Sequence, residues 1–174
     1  LLYWFVAQKN LKLQNALIVV ASYVFYGWWD WRFLSLIIFS TVVDYLVGQR
    51  LRTEDKQSKR KVLLWTSIVV NLGFLGFFKY YNFFLENFVD AFSLFGMQII
   101  ANSLNIILPV GISFYTFQTL SYTIDVYRKK LEPTQDFIAF SAFVCFFPQL
   151  VAGPIERATN LLPQFINNRK FNYR

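Results

Sequence analysis

Apolar residues come in long blocks separated by short polar stretches, and this pattern predicts an all-α, membrane-spanning chain. Leu1 to Ala7 reads as the end of a helix. Residues 13–29, 33–49, 62–78 and 106–127 read as four crossings; at about 1.5 Å of rise per residue the first reaches ~25 Å, a little short of a hydrocarbon core of ~30 Å but with interfacial anchors at its end, and the last ~33 Å. Residues 80–95 alternate aromatics with Asn82, Glu86, Asn87 and Asp90, the pattern of an amphipathic helix lying in the interface. Gly96 to Asn105 then turns the chain back. Residues 134–147 form a shorter helix, N-capped by Thr134, with an apolar run suited to a half-membrane element. It ends where Pro148 disfavours helical geometry in its predecessor, and Gly153 and Pro154 delay the next helix. Asn71, Gly73 and Gly76 suggest close packing or a bend in the third crossing. The whole is one transmembrane region, incomplete at both ends: it opens inside an apolar run without Met and closes on a polar segment.

Composition agrees with this map. Hydrophobic residues make up 56% of the chain, aromatics 21%, and mean hydropathy is +0.38. The net charge of +7 lies mostly between the apolar blocks, so it marks membrane loops, not a nucleic-acid surface. Lys9 and Lys12, the segment 50–61 and the knot Arg128–Lys130 are separated by two crossings each time, which places all three in the cytoplasm. The Trp28–Trp31 turn and the 80–95 helix then lie outside, the tryptophans forming an interfacial belt. Segment 50–61 reads as one long solvated loop. The single cysteine, Cys145, excludes an internal disulfide and reads as a small buried hydrophobe. No metal-ligating cluster is apparent.

Polar residues inside apolar runs carry the candidate chemistry. Asp44 shares a helical side with Ser40, Thr41 and Gly48. A carboxyl within a span is costly against lipid, so it faces the bundle, either as a helix–helix hydrogen bond with Gly48 permitting close approach or beside a pathway. Tyr115, Gln118, Tyr122 and Asp125 recur at spacings that put them on one helical face. That stripe must meet other helices or a water-filled cavity, and composition leaves both open. Pro148, Gly153, Pro154, Glu156 and Arg157 form a broken, charged segment of a kind tolerated at membrane depth only where protein or water encloses it. Asp125–Arg157 and Glu156–Arg128 are the conceivable ion pairs.

The sequence LPVGISFYTFQTLSYTIDVYR, followed by FFPQLVAGPIER, closely resembles the alginate O-acetylase branch of the membrane-bound O-acyltransferases. The block YGWWDWRFLSLIIFSTVVDYLVG, residues 26–48, resembles that branch's amino-terminal signature. The resemblance implies a many-helix bundle shaped around a funnel, in a bacterial inner membrane. It implies acetyl transfer from a thioester donor, coenzyme A or an acyl carrier, to hydroxyls of an exported polysaccharide or cell-envelope glycan, with accessory envelope acetylation proteins. The family's general base is a histidine in a W-x-x-W-H-like motif later in the chain. This sequence has no histidine, so no catalytic residue is assigned within it. What carries over is the lining. Pro148, Gly153, Pro154, Glu156 and Arg157 would shape the funnel's cytoplasmic end, and Tyr122, Asp125, Tyr127 and Arg128 would orient the preceding helix near that end. A transporter or channel also uses broken helices and intramembrane acids, but its inverted repeat is not visible here. A non-catalytic membrane scaffold is the other alternative. A W-x-x-W-H-like segment downstream would favour the acyltransferase over both.

Overall fold

The structure is a computed structural model that describes residues 10–94, 111–167 and 169. It is an all-α membrane helix bundle. Helix α1 spans Leu11–Trp29 and α2 spans Trp31–Thr53. Helix α3 spans Gln57–Leu94, α4 Ile112–Tyr127 and α5 Phe137–Cys145. Two short helices follow, α6 at Phe147–Ala152 and α7 at Ala158–Ile166. The predicted helix end at 1–7, the turn at 96–105 and the first residues of the 106–127 run lie outside the described residues.

Capping chemistry fixes the helix ends. Asn10 opens α1, its side-chain oxygen accepting from the backbone N–H groups of Lys12 and Leu13. Asp30 closes α1 and opens α2: its own N–H reaches Tyr26 O, while its carboxylate accepts from Arg32 N at 2.8 Å. One residue therefore turns the chain, and Trp28, Trp29 and Trp31 stand exposed around it. Helix α5 is capped by Asp136, not by Thr134 as the sequence pattern suggested. Asp136 accepts from Ile138 N and Ala139 N, and Thr134 Oγ1 accepts from Asp136 N one step earlier.

Two sequence expectations about element boundaries change. Segment 50–61 is not a long loop, because Arg50 and Arg52 sit in the last turn of α2 and α3 begins at Gln57. Basic residues in a last turn complement the negative end of the helix dipole, which favours continuing the helix through them. Nor does the chain break between 62–78 and 80–95, since α3 runs through both as one helix. No proline interrupts it, and the ring pairs Tyr80–Phe84 and Phe88–Phe92 support the helix at a spacing of four. Gly73 and Gly76 are not close-packing sites, since a Cβ at either would meet nothing within 4 Å.

The bundle is apolar outside and carries a polar seam through an otherwise apolar interior. Val20, Val24, Phe39, Leu46, Val62 and Val69 are all exposed. Asn15, Ser22, Ser40, Asp44, Ser67 and Asn71 are buried. A water-soluble core reverses this arrangement, whereas helices in lipid gain little by burying Leu and associate through packing and hydrogen bonds. Helices α2 and α3 are long and apolar enough to cross a membrane. Helix α4 packs between α2 and α3, and α5 packs on α1 and α2.

Helices α5 and α6 run antiparallel to α4. Phe140 meets Tyr122, Phe143 meets Gln118, and Leu150 lies against Gly111. At the far end Phe147 stacks on Phe25, and its N–H donates to Ser22 Oγ. The chain then comes back through an extended stretch, residues 153–157, to Ser121 midway along α4, where Ala158 N donates to Ser121 Oγ at 3.1 Å. From there α7 crosses α5 to reach α1, and Asn15 Nδ2 donates to Phe165 O at 2.7 Å.

Among the described glycines the tightest position is Gly48. A Cβ there would lie 2.5 Å from the Tyr122 hydroxyl oxygen and 2.9 Å from a ring carbon. Gly48→Ala is therefore expected to overpack the α2–α4 contact and cost ~1–3 kcal/mol. Thermal unfolding in detergent measures this. Tyr122→Phe in the same background removes the nearest atom and should restore part of the loss; equal stability of Gly48→Ala and wild type would exclude the contact.

Candidate functional site

The polar interior is organised around Asp44. Its carboxyl accepts from Ser67 Oγ and Asn71 Nδ2 of α3, the latter at 2.8 Å, and from Thr123 Oγ1 of α4 at 3.3 Å. Asn71 Oδ1 in turn accepts from Ser40 Oγ at 2.7 Å and Thr119 Oγ1 at 3.1 Å. Three helices thus share one network with every member buried. The periodicity of α2 brings Ser40 and Asp44 to one side, and the spacing of four between Ser67 and Asn71 does the same on α3. Ser67, Thr119 and Thr123 are network members that the sequence reading did not connect to Asp44; their spacing of four on each helix was the available signal.

The stripe on α4 is also buried. Gln118 Nε2 donates to Phe143 O at 2.7 Å, which satisfies an orphan carbonyl in the last turn of α5. Tyr122 fills the space over Gly48 and lies 4.6 Å from the Phe140 ring. The backbone carbonyl of Asp125 accepts from Lys130 N and Leu131 N and so closes the helix. The hydroxyls of Tyr26, Tyr115 and Thr116 are buried without a protein partner among the described residues. Gln118 and Tyr122 therefore meet other helices, and the unpartnered hydroxyls of Tyr115 and its neighbours are where the interior retains spare hydrogen-bonding capacity.

At the other end of α4 a buried arginine gathers three helix termini. Arg60 Nη1 donates to Leu51 O and to Glu54 O, the latter at 3.2 Å. Its Nη2 donates to Tyr127 O at 2.9 Å and lies 3.5 Å from Val126 O. The guanidinium also sits 5.7 Å from the centre of the Tyr127 ring. Carbonyls in the last turns of α2 and α4 have no helical partner, and a cation there meets the negative ends of both dipoles. Sequence reasoning assigned Arg60 to a solvated loop. Its basic surroundings masked it, and only the approach of α4 reveals its role. Asn15 was missed in the same way: it holds Phe165 O and accepts from Arg169 Nη2 at 2.7 Å.

The broken segment lies elsewhere than expected. Pro148 stands in the first turn of α6, where its missing N–H leaves no helical bond unmade. Phe146, φ −56° and ψ 96°, leaves helical geometry and separates α5 from α6, while Phe147, the residue before Pro148, is itself helical, so the break falls one residue earlier than the proline predicted. The segment's apex packs against Ser22, Phe25 and Gly111, away from the end where Arg60 joins the helix termini. It therefore does not share the basic end with Arg128. Neither Asp125–Arg157 nor Glu156–Arg128 forms an ion pair; among the described residues the ion pair is Lys59–Glu54 at 3.5 Å. Arg128 and Arg157 are exposed and Glu156 is half-buried, so these charges have no buried partner to hold them. Gly153 ends α6 in extended geometry, with Gln149 Nε2 donating to Pro154 O. No group of three or more carboxylates or cysteines is placed to hold a metal among the described residues. Cys145 is buried and free, with no histidine in the chain to activate it.

A helix bundle with an apolar exterior, a hydrogen-bonded polar seam and a proline-broken segment folded back into it defines a class: an integral membrane protein with an enclosed polar interior. Comparison with known proteins narrows the class. The chain is 43% identical over 157 residues to the probable alginate O-acetylase of Pseudomonas aeruginosa, covering 88% of this chain and 30% of that protein. It is 41% identical over 159 residues to the probable alginate O-acetylase of Azotobacter vinelandii, covering 88% and 31%. To the peptidoglycan O-acetyltransferase of Helicobacter pylori it is 33% identical over 192 residues, covering 95% and 36%. The chain belongs to the alginate O-acetylase-like branch of the membrane-bound O-acyltransferases. It spans about a third of the length of the curated relatives it matches. No family model matches it, and no solved structure matches it.

Because Asp44 is the shared acceptor, Asp44→Ala leaves buried donors on α3 and α4 unpaired, each costing ~1–3 kcal/mol. Asp44→Ala is expected to abolish monodisperse folded protein in size-exclusion chromatography, while Asp44→Asn retains it at a lower melting temperature. Normal elution and melting of Asp44→Ala would show that the network does not hold the helices together.

Proposed function

We propose that this chain is part of a membrane O-acyltransferase that moves an acetyl group from a thioester donor to hydroxyls of an exported polysaccharide or cell-envelope glycan. The observation that carries this reading is 43% identity to an alginate O-acetylase and 33% to a peptidoglycan O-acetyltransferase, each over about nine tenths of the chain. The two relatives' names share acetyl transfer to a glycan and differ in the glycan. In the reaction, the acceptor oxygen attacks the thioester carbonyl, a general base takes the hydroxyl proton, and the thiolate leaves. Residues 1–174 contain no histidine, so the base comes from outside this sequence. The part played by this chain is then structural and positional. Its polar seam holds the helices, and the segment Phe146–Arg157, together with Tyr115 on α4, lines part of the path. The donor is coenzyme A or an acyl carrier, and accessory envelope proteins take part in delivery to the glycan.

In this reading the protein is multi-pass in a bacterial inner membrane. The ends gathered by Arg60, with Arg50, Arg52, Lys59 and Arg128–Lys130 around them, face the cytoplasm, and the Trp28–Trp31 turn faces outward.

Two measurements test the proposal. The full-length enzyme is expected to raise ester content of an exported glycan, and residues 1–174 alone are not; ester formation by residues 1–174 above background would overturn the external base. Gly153→Leu places a side chain where even a Cβ would lie 2.9 Å from Gln149 Cα, so it should lower full-length activity by about tenfold or more. Arg157→Ala, an exposed site, should stay near wild type. Wild-type activity of Gly153→Leu would remove the segment from the path. For topology, Gln57→Cys in a Cys145→Ser background is expected to resist impermeant thiol reagents in intact cells; labelling there would reverse the orientation.

A further inference from the structure

Where α2 hands over to α3, the bundle surface carries a groove of about 490 Å³ bordered by Arg50, Glu54, Lys59 and Val62. It shares Ser58 and Val62 with a second, more open hollow of about 550 Å³ that follows α3 past Lys61, Trp65 and Val69. The two form one track. Its head is cationic: Arg50 and Lys59 border the groove with Glu54, which takes Lys59 at 3.5 Å, and Lys61 borders the adjoining hollow. Its tail is apolar: Val62, Trp65 and Val69 are 65%, 54% and 64% exposed, over about 10 Å of helix. The head lies at the bundle end, beside the termini that Arg60 joins, and the tail runs toward the middle of a helix long enough to cross a bilayer. This is the charge and polarity profile of a glycerophospholipid seated upright, with its phosphate at the water boundary and an acyl chain in the hydrocarbon.

We propose that this track is a binding site for one anionic phospholipid. The headgroup phosphate lies beside Arg50 and Lys59 in the groove, with Lys61 flanking it from the adjoining hollow, and the acyl chain lies along Val62, Trp65 and Val69. Among the described residues Arg50 and Lys61 have no carboxylate partner, so a phosphate diester supplies the charge that Glu54 alone does not balance. A zwitterionic headgroup brings its own ammonium group to a site that is already cationic, and so is selected against. The site is separate from the polar seam and takes no part in the acyl transfer proposed above; it needs α3 to lie in a membrane with this face open to lipid.

The test places a photoreactive benzoyl-phenylalanine at position 65 of the full-length protein in vesicles of phosphatidylglycerol and phosphatidylcholine. Adducts are identified by mass spectrometry, and the same probe at the exposed position Val20 of α1 serves as the reference. Phosphatidylglycerol adducts at position 65 are expected to exceed the bulk fraction by about fivefold and to fall as salt rises, while position 20 reports the bulk ratio. Arg50→Gln with Lys59→Gln and Lys61→Gln should return position 65 to that ratio with the melting temperature little changed. Bulk-ratio adducts at position 65 in the unsubstituted protein, or peptide adducts showing that protein covers the track, would overturn the proposal.

Discussion

The carboxyl of Asp44 sits where neither water nor lipid can solvate it, and the remainder of the bundle is arranged to solve that problem. Each polar atom placed in the hydrocarbon region needs a partner from another helix. Asp44 on α2 finds donors on α3 and α4, and Asn71 extends the network to Ser40 and Thr119. The requirement is directional, unlike the packing of Leu against Leu, and so it fixes rotation and register for three helices together. Gly48, one turn along α2, then lets α4 come close enough for Tyr122 to close the layer. Apolar residues are left free to face outward, which they do along α1, α2 and α3.

The same logic operates on backbone groups. Helices α2 and α4 end near one another, and their last carbonyls would be unsatisfied; the Arg60 guanidinium reaches both sets from α3. Its donors form a planar fork that a lysine could not reproduce. Gln118 treats the end of α5 in the same way, and Tyr45 and Gln49 of α2 bind the carbonyls of Gln135 and Thr134 in the connection after α4. Side chains from neighbouring helices thus complete helix ends that cannot rely on water. The proline-broken segment depends on this too: with Ser22 and Ser121 anchoring its two limbs, it can leave helical geometry between Ala152 and Ala158.

The sequence by itself determined the fold class, the apolar runs and the internal placement of Asp44 and the α4 stripe, because lipid imposes a strong constraint on composition that is written residue by residue. It also carried the resemblance to the acetylase branch, through motifs that survive independently of any coordinates. Boundaries were less legible. The continuity of α3 through Lys79 was hidden because aromatic and polar residues alternate there in a way that suits either an interfacial helix or an extension of the crossing, and local backbone bonding, not hydropathy, decides between them. Thr134 and Asp136 both look like caps, and only the loop geometry chose Asp136. What tertiary structure alone decided were the pairings: Asp44 with Ser67 and Thr123, Arg60 with Leu51 and Tyr127, Asn15 with Phe165, and the apex of the 146–157 segment against Ser22 and Gly111, not beside Arg128. These join residues far apart in the chain. A hydrogen bond is set by a few ångströms and an angle, and helix rotation and chain direction fix both only after all the helices have packed.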